Sequence, residues 1–440
     1  MEKIIPKRIA SAVINSLRGG VVPRVGLEHI AVGRTEEINA LLHDIEIISD
    51  GGATFRFIVG KYGSGKSFLM QIMRNYAMDR GFVLADADLS PERRFHGTNN
   101  QGLATYKELI QNMSVKTKPD GGALPLILEK WISSVLSEVS IEKNLSPGSE
   151  DFSKEVQIKI YKTISDIEGM VNGFDFARVI LQYWEAYNNG DDIKKSLVLK
   201  WFRGEYHTRT EAKNELGINL IISDGNWYDF IKIFAIFLVK AGYKGMIVLI
   251  DELVNIFKIP HSITRQYNYE KILTMYNDVL QGKAHYIGIL VGGTPQCMED
   301  ASRGVFSYDA LRSRLSEGRF SSGETKDLLA PIIRLNPLSY EEMYVLIEKL
   351  AKIHANLYDY EYRITHEELV FFLKTEYGRV GASLNITPRE IIRDFIELLN
   401  IVFQDKEKTV AEIIGGKDFT FSEGNINGEE ISRDFARFEL

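Results

Sequence analysis

Short apolar runs alternate with longer stretches of helical periodicity along much of the chain. Five runs have the composition of buried strands, at residues 55–59, 82–87, 246–250, 286–291 and 332–335. After each of the first four, polar or Gly-rich residues lead into apolar positions at helical spacing. Because parallel strands need such crossovers, the alternation predicts an α/β fold with a parallel sheet flanked by helices.

Two stretches add helices beyond this alternation. Residues 91–240, between the second and third runs, are many more than a crossover needs and contain helical patterns, so we predict a large helical insertion. Residues 337–440 also begin with helical periodicity, which predicts a C-terminal helical lid. The predicted core then comprises residues 51–90 and 241–336, and residues 1–50 form an N-terminal entry segment.

Composition narrows the class of protein without naming a function. The 440 residues are 45% apolar and 26% charged, which is ordinary for a globular chain of more than one domain. The net charge of −7 confines any contact with nucleic acid or anionic membrane to a local patch. The single Cys297 excludes a disulfide framework, and no uncharged apolar run reaches membrane-spanning length. We therefore expect a cytoplasmic protein without membrane contact.

The strongest motif follows the first strand-like run. Residues 60–67 read G-K-Y-G-S-G-K-S and fit the P-loop pattern G-x-x-x-x-G-K-[ST], with a strand pattern before and a helix pattern after. Glycines let backbone N–H groups converge on phosphate oxygens, the lysine adds charge and the final serine ligates Mg²⁺. A chance Gly-rich turn is the alternative. The predicted nucleotide-binding residues are Gly60, Lys61, Tyr62, Gly63, Ser64, Gly65, Lys66, Ser67 and Phe68, with Lys66 also catalytic and Ser67 also a metal ligand.

Two carboxylates follow the third strand-like run, where a phosphate loop needs an acidic partner for its metal. Asp251 would orient Mg²⁺, and Glu252 would act as general base toward the attacking water. The second carboxylate matters because Asp alone suffices for binding, whereas the added Glu indicates hydrolysis. The alternative is an ordinary acidic helix start, which the helix dipole favours.

Three further side chains are candidates for contact with the reacting phosphate. Thr294 follows the fourth run and would act as a sensor of the γ-phosphate or the attacking water, or else occupy a Gly-Gly-Thr-Pro turn. Arg312 and Arg314 precede the last run, where an arginine could reach a nucleotide held by a neighbouring subunit, and Arg319 lies nearby. The alternative for these arginines is a solvated basic helix face.

The order of these features resembles the AAA+ and STAND group of P-loop ATPases, with similarity to its initiator-like branch. Residues 32–36 read V-G-R-T-E and resemble the V-G-R-x-x-E box of that branch, with Glu36 and Glu37 both available for the acidic position. The resemblance implies that Val32 and Gly33 belong to a segment that closes over the adenine.

A second part of the same resemblance lies in the lid. Residues 387–390 read T-P-R-E and resemble the second sensor at the start of a lid helix. The resemblance implies that Arg389 contacts the γ-phosphate. An ordinary helix start with proline at its first position is the alternative.

A closer resemblance is to the ATP-binding proteins found with BREX-type bacterial phage-defence systems. The shared run G-x-Y-G-S-G-K-[ST]-F stands at residues 60–68, after a segment resembling R-x-G-x-V-P at residues 18–23 and V-G at residues 32–33. Residues 85–90, A-D-A-D-L-S, also look like that family. Membership would imply a role in defence against foreign DNA, together with other proteins of a gene cluster.

Other charged stretches carry weaker signals. Residues 194–209 mix basic and aromatic side chains, which suits single-stranded nucleic acid or an amphipathic helix with its aromatic residues in the core. Charged residues at 86–94 indicate either a partner contact or a solvated loop. The eight histidines show no metal-binding spacing, so Mg²⁺ is the only metal that we infer.

The leading interpretation is an Mg²⁺-dependent ATPase in a multi-protein, DNA-directed complex, as a homo-oligomer or with other defence proteins. The alternative is a nucleotide-gated switch or scaffold, in which ATP binding controls oligomerisation or partner binding and hydrolysis is slow. A kinase is a third interpretation, against which the Asp251-Glu252 pair and the lid position of Arg389 argue. No guanine-reading N-K-x-D motif is present, so adenine is the expected base.

Overall fold

The structure, a computed structural model, describes residues 5–316, 327–378, 387–405 and 407–415. Its centre is a five-stranded parallel sheet with the strand order β2-β3-β4-β1-β5. The strands are β1 Ala53–Val59, β2 Val83–Asp88, β3 Met246–Asp251, β4 Ile287–Gly293 and β5 Ile332–Arg334. The predicted α/β fold with a parallel sheet is confirmed.

Helices occupy most of the remaining described chain. They are α1 Lys7–Arg18, α2 Thr35–Ser49, α3 Lys66–Asp79, α4 Gln101–Gln111, α5 Leu124–Lys143, α6 Glu150–Glu168, α7 Gly173–Asn189, α8 Asp192–Phe202, α9 Arg209–Leu216, α10 Trp227–Lys240, α11 Val254–Phe257, α12 Ser262–Leu280, α13 Pro295–Glu299, α14 Asp309–Leu315, α15 Tyr340–Tyr358, α16 His366–Tyr377, α17 Pro388–Gln404 and α18 Val410–Ile414. Helices α4 to α10 lie between β2 and β3, which confirms the helical insertion, and the described C-terminal residues after β5 are mainly helical, as predicted. Of the helices described, none is both long and apolar enough to cross a membrane.

The pairing register keeps the ends of neighbouring strands level. Ala53 of β1 and Met246 of β3 both pair with Ile287 of β4, and Val83 of β2 pairs with Met246. Since parallel strands rise by nearly the same distance per residue, they also end together. We call the side where they end the carboxyl edge of the sheet and the opposite side the amino edge.

The described residues separate into two compact units. The first, the loop unit, comprises the described parts of Met1–Ile38, Gly60–Ile72 and Arg334–Leu440. The second, the sheet unit, comprises Asn39–Val59 and the described parts of Met73–Ile333. Each unit has its own apolar core. The phosphate-loop motif therefore belongs to the same unit as the N-terminal segment and the C-terminal helices.

Aromatic packing joins the insertion to the sheet within the sheet unit. The rings of Phe176 and Phe234 meet edge to face with centroids 5.0 Å apart, and those of Trp131 and Phe237 do so at 5.2 Å. These side chains belong to one continuous buried cluster with Phe57 of β1. Burying each large aromatic side chain contributes roughly 1.5–3 kcal/mol. The helical insertion therefore shares its core with the strands.

A buried ion pair ties β1 to α2. The Arg56 guanidinium donates from Nε and Nη2 to the two carboxylate oxygens of Asp44, each at 2.6 Å. Its Nη1 also donates to the backbone carbonyls of Leu329 and Ala330. Both charged side chains are almost fully buried. Because the carboxylate satisfies one side of the guanidinium and carbonyls the other, the cation is compensated inside the core.

The core of the loop unit joins the two ends of the described chain. α1 packs against α15 and α17, through buried residues such as Val13, Leu350 and Phe395. His354 of α15 is fully buried in this unit. Its ring nitrogens lie 2.9 Å from the Tyr360 hydroxyl and 3.1 Å from Asn400 Oδ1. Burial lowers the pKa of His354, although the hydrogen bond to Asn400 opposes that shift.

Replacing Arg56 should destabilise the sheet unit strongly. In Arg56→Met the Asp44 carboxylate is left buried without its cation, so we expect a loss of about 3–5 kcal/mol in the free energy of unfolding, measured by urea denaturation. Adding Asp44→Leu should restore part of that loss. The control is Lys154→Met, which removes an exposed pair with Glu150 and should cost at most about 1 kcal/mol. Equal effects of Arg56→Met and Lys154→Met would contradict the prediction.

Acidification should weaken the loop unit through His354. Because burial lowers the pKa of the folded imidazole below its unfolded value of about 6.5, this contribution to stability is complete above that pH and is lost as the pH falls through it. We expect His354→Gln to flatten the fall in unfolding free energy between pH 7.5 and 5.5, by at most about 1.4 kcal/mol per pH unit. His43→Gln, at an exposed histidine, controls for removing one titratable group. An unchanged slope in His354→Gln would refute this assignment.

Candidate nucleotide-binding site

The phosphate-loop motif connects β1 to α3. Gly63 and Gly65 have φ angles of +77° and +91°, in the left-handed region that residues with a Cβ rarely adopt. The Ser64 N–H donates to the Lys61 carbonyl at 3.1 Å and closes the turn. α3 begins at Lys66, so the positive end of a helix dipole lies at the motif. This backbone has the form of an anion-binding cradle.

One hydroxyl of this loop is buried without a hydrogen-bond partner in the described part of the chain. Ser64 is only 4% exposed, and its Oγ makes no hydrogen bond there. It lies so close to Gly60 that a Cβ built at Gly60 would be 2.2 Å from it. A buried unpaired hydroxyl costs about 1–3 kcal/mol, and donation to a phosphate oxygen would satisfy it. The loop residues therefore fit a nucleotide phosphate.

The motif lysine is held over its own loop. Lys66 Nζ donates to the carbonyls of Gly60 and Lys61 at 2.9 and 3.0 Å, and it lies 5.4 Å from the centroid of the Tyr62 ring. Tyr62 itself is 59% exposed. Ser67, the predicted magnesium ligand, is an exposed residue in the first turn of α3. A mobile ammonium with three donors can exchange carbonyl oxygens for phosphate oxygens.

Sequence reasoning assigned no role to Arg34, the third residue of the V-G-R-x-x-E box. Arg34 is only 5% exposed. Nη2 donates to the carbonyls of Ser64 and Asn336 at 2.9 and 2.6 Å, and Nη1 lies 3.8 Å from the buried Glu37 carboxylate. Burial lowers the pKa of Arg34, opposed by the charges of Glu37 and Glu342. The guanidinium thus connects the N-terminal box, the phosphate loop and the chain that leads into α15.

The other residues of the box pack within the same unit. Gly33 has a φ of +68°, and a Cβ built there would lie 2.2 Å from Glu342 Oε1, so the backbone approaches the first turn of α15 closely. Val32 and Phe68 are both partly buried against the core of the loop unit. The loop unit therefore brings the predicted adenine segment and the last predicted residue of the phosphate loop onto one core.

The predicted second sensor lies on the first turn of α17, beside the phosphate loop. A Cβ built at Gly63 would lie 2.5 Å from the Cβ of Thr387, so loop and helix start are in close contact. Thr387 caps α17 by accepting the N–H of Glu390. Arg389, the next residue but one, is exposed. Its side chain runs near Gly20, where a built Cβ would lie 3.5 Å from Arg389 Cδ.

The predicted metal ligand Asp251 and the predicted general base Glu252 lie at the carboxyl edge, in the sheet unit. Asp251 is the last residue of β3, and its Oδ1 accepts the Glu252 N–H at 2.8 Å. Glu252 is exposed and has a φ of +62°. A left-handed conformation costs a residue with a Cβ roughly 1–2 kcal/mol. The strain turns the chain sharply after Asp251, and the Leu253 N–H then donates to the Gly292 carbonyl of β4 at 3.0 Å.

A third carboxylate, Asp88, shares this edge. Asp88 is the last residue of β2 and pairs in register with Asp251. Burial, and the nearby charges of Asp251 and Asp86, raise the pKa of Asp88. Like charges on neighbouring strands favour a cation between them. The signal in the sequence was D-A-D at the end of a strand, which was also consistent with a solvated loop; the structure instead pairs Asp86 with Arg74 at 3.2 Å.

Thr294 lies directly after β4 and caps the short helix α13. Its hydroxyl oxygen accepts the Cys297 N–H at 3.3 Å, and the Cys297 thiol lies 3.1 Å from the Thr294 carbonyl. The side chain is buried. Because a hydroxyl that accepts one bond can still donate another, capping leaves its proton available to a γ-phosphate. The turn and the sensor interpretations are therefore compatible.

The candidate finger arginines lie on α14 and are exposed. Arg312 Nε donates to the Phe306 carbonyl at 2.6 Å, and its Nη2 lies 3.4 Å from Asp309 Oδ1. Arg314 donates to a backbone carbonyl of its own helix at 2.8 Å. Arg319 lies outside the described residues. These contacts are local and solvent-exposed, so each side chain could leave them at little cost.

Among the described residues, neither the histidines nor the acidic side chains form a metal site made of protein ligands alone. Within residues 5–316, 327–378, 387–405 and 407–415, no group of three or more His, Cys, Asp or Glu side chains could hold a metal ion. Mg²⁺ at a nucleotide is usually held by one or two protein ligands plus phosphate oxygens and water. The sequence assigns this donor set to Ser67 and Asp251, and that assignment stays a prediction.

The basic and aromatic stretch of the insertion, residues 194–209, makes contacts within the sheet unit. Trp201 and Phe202 are buried in the sheet-unit core. Lys200 Nζ lies 2.5 Å from Glu211 Oε1 and 3.3 Å from Glu215 Oε2. Between the two interpretations left open by the sequence, the packing of this stretch favours the amphipathic helix.

A comparison with protein families agrees with a nucleotide-binding loop. A family model described as "BREX system ATP-binding protein BrxC/D" matches residues 5–418, nearly the whole chain. A search of curated proteins found no match.

Adding a methyl group at Gly63 should impair nucleotide binding. In Gly63→Ala the new Cβ would have to displace Thr387, and the alanine would have to adopt a φ of +77°. We therefore expect at least about a tenfold loss of ATP affinity, measured by titration with a fluorescent ATP analogue. Gly148→Ala is the matched control, since Gly148 has a φ of +94° and open space around it. It should bind ATP as the unmodified chain does. Unchanged affinity in Gly63→Ala would show that the close contact with α17 does not matter for binding.

Proposed function

Because the chain belongs to the BrxC/D family of BREX system ATP-binding proteins, we propose that it is an Mg²⁺-dependent ATPase that works in a multi-protein, DNA-directed complex of phage defence. The observation that carries ATP binding is the loop of residues 60–67, with its left-handed glycines and its buried, unpaired Ser64 hydroxyl. Hydrolysis rests on the pair of carboxylates at the end of β3. Both features were expected of a P-loop ATPase.

In this proposal the loop unit binds the nucleotide. Backbone N–H groups of residues 60–67 hold phosphate oxygens, and Lys66 exchanges its two carbonyl contacts for the outer phosphates. Val32 and Gly33 cover the adenine, and Arg34 keeps that segment joined to the loop. Ser67 and Asp251 are the residues proposed as Mg²⁺ ligands, and the ion would neutralise charge at the phosphates.

Glu252 has the role of general base. Glu252 is an exposed residue with a strained backbone, and its N–H orients the adjacent Asp251 carboxylate. A carboxylate can accept the proton of an attacking water only if it is not already committed as a metal ligand, and the pair divides these tasks. Thr294 would orient the water or the γ-phosphate from the end of β4.

The arginines would sense the charge that develops on the phosphate. Arg389 lies two residues after Thr387, which touches the phosphate loop at Gly63, and we assign it the role of second sensor. Arg312 or Arg314 would reach a nucleotide held by another subunit. The protein would then act as a homo-oligomer or in a complex with other proteins of the defence system.

Two substitutions test hydrolysis directly. Lys66→Ala should abolish both ATP binding and phosphate release. Glu252→Gln should lower phosphate release by at least about a hundredfold while ATP still binds, because the lost group acts in proton transfer. Phosphate release is measured with and without duplex DNA, and affinity by titration of an ATP analogue. Equal turnover in Glu252→Gln and the unmodified chain would remove the assigned base.

A nucleotide-gated switch is a second candidate function, favoured by the chain segments that make up the loop unit. The phosphate loop shares one unit with the N-terminal segment and the C-terminal helices, so a bound phosphate acts on the elements that would rearrange. Sizing of Glu252→Gln with and without ATP distinguishes the candidates. A switch changes its assembly on ATP binding alone, and the unmodified chain then hydrolyses slowly whatever DNA is present. A motor-like ATPase shows turnover that DNA or a partner stimulates.

A further inference from the structure

Positive charge gathers at the amino edge of the sheet, far along the strands from the catalytic carboxylates. β2 and β3 start level, at Val83 and Met246. Lys244 precedes Met246 by two residues and Arg80 precedes Val83 by three, and both side chains are exposed. The Lys244 N–H donates to the Gly81 carbonyl at 3.0 Å. The chain segments before these two strands therefore present their cations side by side.

A short antiparallel bridge brings two more lysines to this edge. Ser114 and Leu84 exchange backbone hydrogen bonds of 2.8 and 3.0 Å on the outer side of β2, and the chain then forms a turn closed by the backbone of Lys118. Lys116, within that turn, lies 2.9 Å from the Asp79 carboxylate, next to Arg80 in sequence. Both lysines are exposed and are presented by a hydrogen-bonded turn.

A fifth cation comes from the insertion. Lys130 of α5 lies 4.6 Å from the centroid of the Tyr243 ring, and Tyr243 immediately precedes Lys244. These side chains come from four separate segments of the sheet unit. The amino-edge basic patch, as we call it, consists of Arg80, Lys116, Lys118, Lys130 and Lys244.

The segments that carry most of this patch contain fewer carboxylates than cations. The three segments 79–82, 115–120 and 241–245 carry four of its cations and only two carboxylates, Asp79 and Asp120. The ion pair of Asp79 with Lys116 joins side chains that are 63% and 69% exposed, so water weakens it. In a chain with a net charge of −7, five cations at one edge of the sheet form a local positive field, which attracts a polyanion.

We infer that the amino-edge basic patch binds the phosphate backbone of double-stranded DNA without reading its sequence. Exposed lysines contact phosphates as point charges, and such contacts supply non-specific DNA binding. The nearby exposed aromatic residue, Tyr76, already has the Arg80 guanidinium over its ring at 5.9 Å. Stacking of successive unpaired bases needs several open rings, so a duplex fits this surface better than a single strand.

The position of the patch also separates two tasks. Asp251 and Glu252 lie at the carboxyl edge of the same sheet, whereas the patch lies at the amino edge. A duplex on the patch would leave the carboxyl edge open. The inference rests on the proposed DNA-directed function and names the surface that meets the DNA.

The test compares two double charge reversals in the full chain. The patch variant combines Lys118→Glu with Lys244→Glu and removes two cations of the patch. The control variant combines Lys154→Glu with Lys213→Glu, at exposed lysines of α6 and α9 outside the patch. Each pair changes the net charge by −4, from −7 to −11, so global charge is matched. Binding of a labelled duplex is measured by fluorescence anisotropy without nucleotide, at about 50 and 200 mM salt.

We expect the patch variant to bind the duplex at least about tenfold more weakly than the control variant at low salt, with the same thermal unfolding midpoint. Its slope of log affinity against log salt should be smaller in magnitude by about 2, because two phosphate contacts are lost. Equal losses in both variants would overturn the inference. So would an unmodified chain that fails to bind duplex at low salt, or that binds vesicles containing phosphatidylserine and no duplex.

Separate readouts keep this inference distinct from the proposed function. Glu252→Gln should bind the duplex as the unmodified chain does, and the patch variant should keep its DNA-independent ATP turnover. If Glu252→Gln still hydrolyses ATP while the patch variant loses duplex binding, the proposed mechanism fails and the DNA surface stands. If Glu252→Gln loses hydrolysis while both double variants bind duplex equally, the DNA surface fails and the ATPase stands.

Discussion

The level parallel register of β1, β3 and β4 is the constraint on which the positions of the chemical groups depend. Val59, the last residue of β1, pairs with Gly293, the last residue of β4. The phosphate loop follows β1 in the chain, and Thr294 follows β4. β3 pairs with β4 through Ile250 and ends at Asp251. A slip of one residue would turn Asp251 to the opposite face of the sheet. The apolar side chains of all three strands are buried on both faces of the sheet. A slip would move each of them to the opposite face and disrupt its packing, so the buried side chains oppose the slip.

Features with a local cause could be predicted from the sequence, and features made by distant backbone atoms could not. The strand pattern, the glycines of the phosphate loop and the carboxylate after β3 each follow from a few neighbouring residues. Arg34, in contrast, is fixed by carbonyls of Ser64 and Asn336, which lie 30 and 302 positions away. Every residue has a carbonyl, so no pattern identifies these partners. The choice between Glu36 and Glu37 was open for a similar reason, because only packing shows that Glu37 is the buried one.

Charge shows the same limit. The run of basic and aromatic residues at 194–209 was the visible candidate for nucleic acid, yet its aromatic rings are core and its lysines pair within the insertion. The amino-edge basic patch has no long run to mark it, since its five cations are spread over four distant segments with at most two in any one of them. Only the pairing of β2 with β3 and with the bridge at Ser114 brings them together. A surface whose residues come from distant segments cannot be recognised from any short stretch of the sequence.

The composition of the loop unit has a consequence for biosynthesis. Its parts come from the described residues of Met1–Ile38, Gly60–Ile72 and Arg334–Leu440, whereas the sheet unit lies between Asn39 and Ile333. Because α1 packs against α15 and α17, this core cannot close until the last of these helices has left the ribosome. The strands, in contrast, can pair as soon as Arg334, the last residue of β5, has emerged. A nascent or C-terminally truncated chain would thus carry Asp251 and Glu252 on a formed sheet before the core of the loop unit, which contains the phosphate-loop motif, has closed.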